Sequence, residues 1–126
     1  MITVLCEVPI FLRHVVFIGD CSQNDAEDWI YKLRGKRTRC VFAENSNGGV
    51  RDVNGDIYVW VKDTSFASIV AHELAHVACT IMEVCHIPQC RDTEELMCYL
   101  IGWLKINVQD KVYEKKEKAT KKRRTK

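Results

Sequence analysis

Two histidines four residues apart stand in the segment Ala71-His72-Glu73-Leu74-Ala75-His76. On a helix, positions i and i+4 project from one face, so the two imidazoles can grip one metal ion from consecutive turns. Glu73, three residues before His76, brings a carboxylate to the water on that ion without filling a coordination position itself. The pattern HExxH thus puts a zinc ion and a general base on one helix. Its flanks suit a helix, with Ile69, Val70, Val77, Ala78 and Ile81 at helical spacing. Burying two imidazoles and a carboxylate on so apolar a helix without partners would be costly, which weighs against an accidental match.

Catalytic zinc commonly takes three protein ligands and leaves a fourth position for water. Two adjacent carboxylates lie downstream, Glu95 with eighteen residues between it and His76, and Glu94 with seventeen. Neighbouring helical residues point about 100° apart, so at most one of them faces the metal. Glu95 is preferred. Cys98, one turn on, is small enough to let two helices approach, and Glu95 shares a stripe with Tyr99 and Trp103; Glu94 is the fallback. Asp92-Thr93-Glu94-Glu95 also reads as a capping box, with acidic residues favoured at a helix start.

These residues need elements to hold them. Ile2–Ile18 is rich in Val, Ile, Leu and Phe and is broken by Pro9, which predicts two short strands or one broken strand. Ser22 and Asp25 open an amphipathic helix through Ala26, Trp29, Ile30 and Leu33, with Gly35 as its stop. Arg39–Glu44 reads as a strand and Asn45–Gly49 as a turn cluster. Asn54-Gly55 is a strong hairpin signal, and Ile57-Tyr58-Val59-Trp60-Val61 alternates between two faces. Asp63-Thr64-Ser65 supplies caps for a helix over about Phe66–Val84. His86–Asp92 is a loop, and a third helix runs from Asp92 or Thr93 toward Val108. The expectation is an α+β fold in one domain over residues 1–110, followed by a flexible tail over 111–126.

Composition agrees with a folded domain: 126 residues, 47 % hydrophobic and 29 % charged, which excludes collagen, coiled coil and wholesale disorder. The net charge of +2 conceals an asymmetry. Residues 1–110 hold 10 Lys/Arg against 15 Asp/Glu, whereas 111–126 hold nine against two. The tail could therefore contact nucleic acid or an acidic partner through nonspecific, salt-sensitive charge. Arg34, Lys36, Arg37 and Arg39 form a second basic cluster, read as a solvated turn. Seven cysteines, none in a CxxC pair, read as reduced core residues of a cytoplasmic protein. No apolar run approaches the roughly 20 residues of a membrane-spanning helix, and no membrane partner is expected. Cys85, His86 and Cys90, with Cys79 or Cys98, are a weaker second zinc constellation.

A strand like Ile57–Val61, an acidic turn, an HExxH helix and a later helix opening on Glu together resemble the gluzincin branch of zinc metallopeptidases. Ile57-Tyr58-Val59-Trp60, His72–His76 and Glu95–Leu104 are similar to small zincin-like proteins encoded by bacteriophages. The family's Glu, small residue, Tyr and Leu fall on Glu95, Cys98, Tyr99 and Leu100. The resemblance covers about Arg39–Leu104. It implies a minimal zincin-like domain with one Zn2+ on His72, His76 and Glu95, hydrolysing a peptide or protein in the cytoplasm of a bacterial host. Glu73 would be the base, and Tyr99, His86 or Tyr113 the oxyanion donor. The resemblance also implies that Ile57–Val61 is an edge strand receiving substrate by strand addition. The alternative is a zinc-binding module that engages a host or phage factor without hydrolysis.

Overall fold

The structure, a computed structural model, describes residues 1–35 and 40–124. Four strands and three helical rods follow in the order β1 (Ile2–Val8), β2 (Arg13–Gly19), α1 (Gln23–Leu33), β3 (Gly48–Val53), β4 (Asp56–Val61) and α2 (Ala67–Val84). The last rod joins α3 (Glu94–Leu104) to α4 (Asp110–Arg124) through a π-helical turn, Lys105–Gln109. The class is α+β, with one mixed sheet of order β1-β2-β4-β3.

Local chemistry explains most boundaries. Ser22 caps α1 by accepting from the Asp25 amide at 3.1 Å, and the chain leaves it at Gly35 with φ +69°. Asn54 and Gly55 both take positive φ, 54° and 89°, as a two-residue turn needs to match the twist of β3 and β4. Antiparallel β1–β2 and β3–β4 hairpins flank a parallel β2–β4 pair, which α1 connects by crossing over one face.

Strand alternation then builds two cores. Val15, Phe17, Ile57, Val59 and Val61 face α2 and α3, while Val16, Ile18, Tyr58 and Trp60 face α1 and Phe42. The α2 stripe Val70, Leu74, Val77, Ala78, Ile81 and Met82 is buried in the first core, each large side chain contributing about 1.5–3 kcal/mol. At mean hydropathy 1.2 over 18 residues, α2 is long and apolar enough to cross a membrane by length and composition alone. Its apolar stripe is, however, consumed by the sheet.

Four expectations are corrected. No strand forms over the described part of Arg39–Glu44, Arg39 itself lying outside the described residues together with Lys36 and Arg37. The Phe42 amide donates to Glu27 at 3.0 Å and its carbonyl accepts from Gln23 at 2.9 Å, so α1 side chains take the groups a ladder would need. Thr64 does not cap α2. It is the one fully buried polar residue among the described residues, and its amide and hydroxyl both donate to Asp20 Oδ1 at 2.8 Å.

The expected tail is a docked helix through Arg124. Val112 is buried, Tyr113 donates to the Thr64 carbonyl at 3.0 Å, and Lys116 reaches Thr64 Oγ1 at 2.9 Å. Lys115 donates to the Thr3 carbonyl on β1. Nor are the cysteines mainly core residues: all seven are free, Cys40 is buried, and Cys90 and Cys98 are exposed. Burial pushes the Cys6 and Cys40 thiols up to about 11.

Thr64→Val keeps the shape and the amide bond to Asp20 but removes the hydroxyl that bridges Asp20 and Lys116. It is expected to cost about 1–3 kcal/mol in urea unfolding, with faster amide exchange in α4. Unchanged stability and exchange would show that this junction is not a fastening.

Candidate functional site

The α2 helix carries the site. His72 and His76 each lie two residues from buried Leu74, roughly 200° around the helix from it, so both imidazoles stand exposed on the outer face. Their Nε2 atoms are 3.2 Å apart and their rings are edge-to-face at 77°. Two nitrogens on a tetrahedral zinc at 2.0–2.1 Å would lie about 3.3 Å from each other. The separation of the pair matches that spacing. Thr80 ties this stretch by donating to the His76 carbonyl at 2.8 Å.

Glu73, half-buried, leaves the helix about 100° from Leu74 and lies against the start of β3. A Cβ on Gly48 would fall 3.1 Å from Glu73 Cγ, 3.2 Å from its Oε1 and 2.9 Å from the Trp60 carbonyl. By sequence Gly48 belongs to the Asn45–Gly49 turn cluster. In the structure it opens β3 and leaves room for the general-base candidate. A glycine inside a strand, as a sign of close backbone approach, is the signal that could have found it.

The downstream carboxylates stand apart from this pair. Ile101 of α3 and Lys105 of the π-helical turn line a cleft of about 350 Å³ with Ala71, Leu74 and Ala75 of α2, so Ile101 is level with the two histidine turns. Glu95 is six residues away, about 9 Å along the axis and 120° around it, and is exposed. Glu94, seven residues away, shares the Ile101 face and lines a second cleft with Gln89 and Met97. Among the described residues, no three His, Cys, Asp or Glu side chains are gathered to hold a metal ion. The Cys85–His86–Cys90 constellation is likewise not assembled.

The oxyanion candidates fare differently from expectation. His86 has φ +56° and ends α2: its amide donates to Glu83 and that of Ile87 to Met82, which is a Schellman closure. It stands about 15 Å along the axis from His76, too far to act with it. Tyr113 has spent its hydroxyl proton on Thr64, and burial raises its pKa. Tyr99 is 43 % exposed on α3.

The proposed substrate strand is corrected too. Ile57, Tyr58, Val59, Trp60 and Val61 form β4, which is hydrogen-bonded to β2 on one side and β3 on the other. A strand with both edges occupied accepts no third. The free edge next to Glu73 belongs to β3.

Compared with known protein families, curated proteins and solved structures, the chain matches none.

Gly48→Ala is expected to force either Glu73 or the Trp60 carbonyl aside, costing about 1–3 kcal/mol in thermal unfolding. A parental Tm would mean that Glu73 does not rest on β3.

Proposed function

We propose that the chain is a zinc-dependent metallopeptidase of gluzincin-like design, phage-encoded and acting in the bacterial cytoplasm. The observation that carries this reading is the 3.2 Å approach of two exposed imidazole nitrogens on one rigid helix, with Glu73 between them in sequence. His72 and His76 would hold the ion. Glu95 would be the third ligand, with Glu94 as the alternative because it shares the Ile101 face, and either would have to move in from α3, since the described residues do not gather three ligands. When bound, zinc polarises a water and a peptide carbonyl.

The chain's own residues supply the rest. Glu73 accepts the water's proton and returns it to the leaving amine. A peptide adding to the free edge of β3 would run past Glu73 with its main chain held by the sheet. Tyr99 is the remaining donor for the developing oxyanion. A single free strand edge at β3 suits a short or flexible peptide.

Glu73→Gln is expected to leave zinc content unchanged and to lower hydrolysis in a peptide-library assay by at least about 10²-fold. Parental hydrolysis in that variant would sink the base assignment. Zinc binding with no hydrolysis by the parent would favour the interaction module instead.

A second surface accompanies this reading. Beyond its docked segment, α4 exposes Lys118, Arg123 and Arg124, which suits a polyanion such as nucleic acid held by phosphate contacts. Changing these three to Glu is expected to shift heparin elution to clearly lower salt. An unchanged elution would exclude the helix as the contact.

A further inference from the structure

The residue that opens α2 breaks a local rule. Phe66 holds the N-cap position, makes no capping hydrogen bond and is 58 % exposed. Ser, Thr, Asp or Asn there would accept from a free amide of the first turn. The chain gives up that bond and leaves an aromatic ring facing water. Sequences that obey local rules elsewhere break them at functional sites.

The ring lines a cleft of about 490 Å³ with Ile69, Asn47, Lys62 and Asp63, within the usual range for ligand sites. Ile69 is half-buried and packs against the core. The Lys62 amide donates to the Asn47 carbonyl at 2.8 Å, which fastens the far wall. Asp63 is turned onto the Ser65 amide at 2.9 Å, and with Lys62 beside it the rim carries no net charge. Selection here therefore rests on the apolar wall of Phe66 and Ile69.

Position ties the cleft to the candidate site. Phe66, Ile69 and Glu73 fall at i, i+3 and i+7, within about 60° of arc on one flank of α2. Asn47 immediately precedes Gly48, the residue that Glu73 approaches. The cleft thus continues the free edge of β3 past its first residue. From Glu73, Ile69 and Phe66 lie about 6 and 10 Å along the helix axis. That is roughly the length of two to three residues of extended chain.

We propose that this cleft receives a large apolar side chain of the peptide held on β3, two to three residues from the bond beside Glu73. The substrate class narrows to peptides with an aromatic or branched aliphatic residue at that distance. The proposal rests on the peptidase reading, from which it takes the peptide on β3, but it uses no metal ligand.

The test is titration of the 15N-labelled full chain with a capped alanine heptapeptide carrying one central phenylalanine, with the all-alanine heptapeptide as comparator. Saturable amide shifts at Gly48, Phe66 and Ile69 are expected, and the all-alanine peptide should bind at least tenfold more weakly. Phe66→Ser removes the ring and supplies the missing cap, so it should raise Tm while bringing the two peptides to equal affinity. Ile69→Ala should weaken the phenylalanine peptide and spare the other. Equal affinities in the parent, shifts confined to other faces, or preserved discrimination in both variants would each overturn the proposal. Mass spectrometry of the same peptides incubated with zinc-loaded protein separates the two readings. Selective binding without cleavage would uphold the cleft and count against the peptidase, and cleavage of both peptides at equal rates would do the reverse.

Discussion

A single buried threonine joins the parts of this molecule that must agree. Thr64 sits where β4 turns into α2, and Asp20 at the end of β2 accepts both its amide and its hydroxyl at 2.8 Å. The same residue receives Tyr113 and Lys116 from α4. Gly19 makes the approach possible, since a Cβ there would meet Thr64 Cγ2 at 2.7 Å. In a low-dielectric interior such a fully satisfied cluster rigidifies its surroundings, whereas a half-satisfied one is costly. The start of α2 is thereby set relative to the parallel β2–β4 pair, and the last helix is clasped to the sheet at the same point.

From that anchor the geometry of the site follows. One face of α2 is consumed by Val70, Leu74, Val77 and Ile81, which fixes the helix's rotation. His72 and His76 must then face outward and Glu73 sideways, toward β3. Gly48 lets the carboxylate come down on the strand's first residue. The sheet order leaves β3 as the free edge beside that carboxylate, and Lys115 guards the opposite edge at Thr3. The histidine pair, Glu73 and an open strand thus lie close together on one side of the molecule.

Much of this was legible wherever short-range rules decide. The Ser22 cap, the Asn54-Gly55 turn, the alternation of Ile57–Val61 and the helical spacing around HExxH all rest on neighbours within a few residues. The failures share one cause: partners distant in sequence. Thr64 has the residue type of a helix cap, yet Asp20, forty-four positions earlier, captures it. Phe42 lies in a strand-like stretch, but Gln23 and Glu27 take its backbone groups. Residues 111–124 look like a solvated tail by composition, and Val112, Tyr113 and Lys116 dock them as a helix. Strand order is likewise invisible in one chain, so β4 was taken for an edge when it is interior. The choice between Glu94 and Glu95 turned on a helix rotation that Leu100 and Leu104 set by burial.

The proposed function stands or falls on whether His72 and His76 bind zinc. The most direct measurement is X-ray absorption at the zinc edge on protein reconstituted at neutral pH, with metal content determined on the same sample. One zinc per chain is predicted, with imidazole nitrogens and carboxylate oxygen at about 2.0–2.2 Å and metal lost in His76→Ala. Protein that retains no zinc would contradict the account. So would a spectrum dominated by sulfur at about 2.3 Å, because it would place the ion on the cysteines.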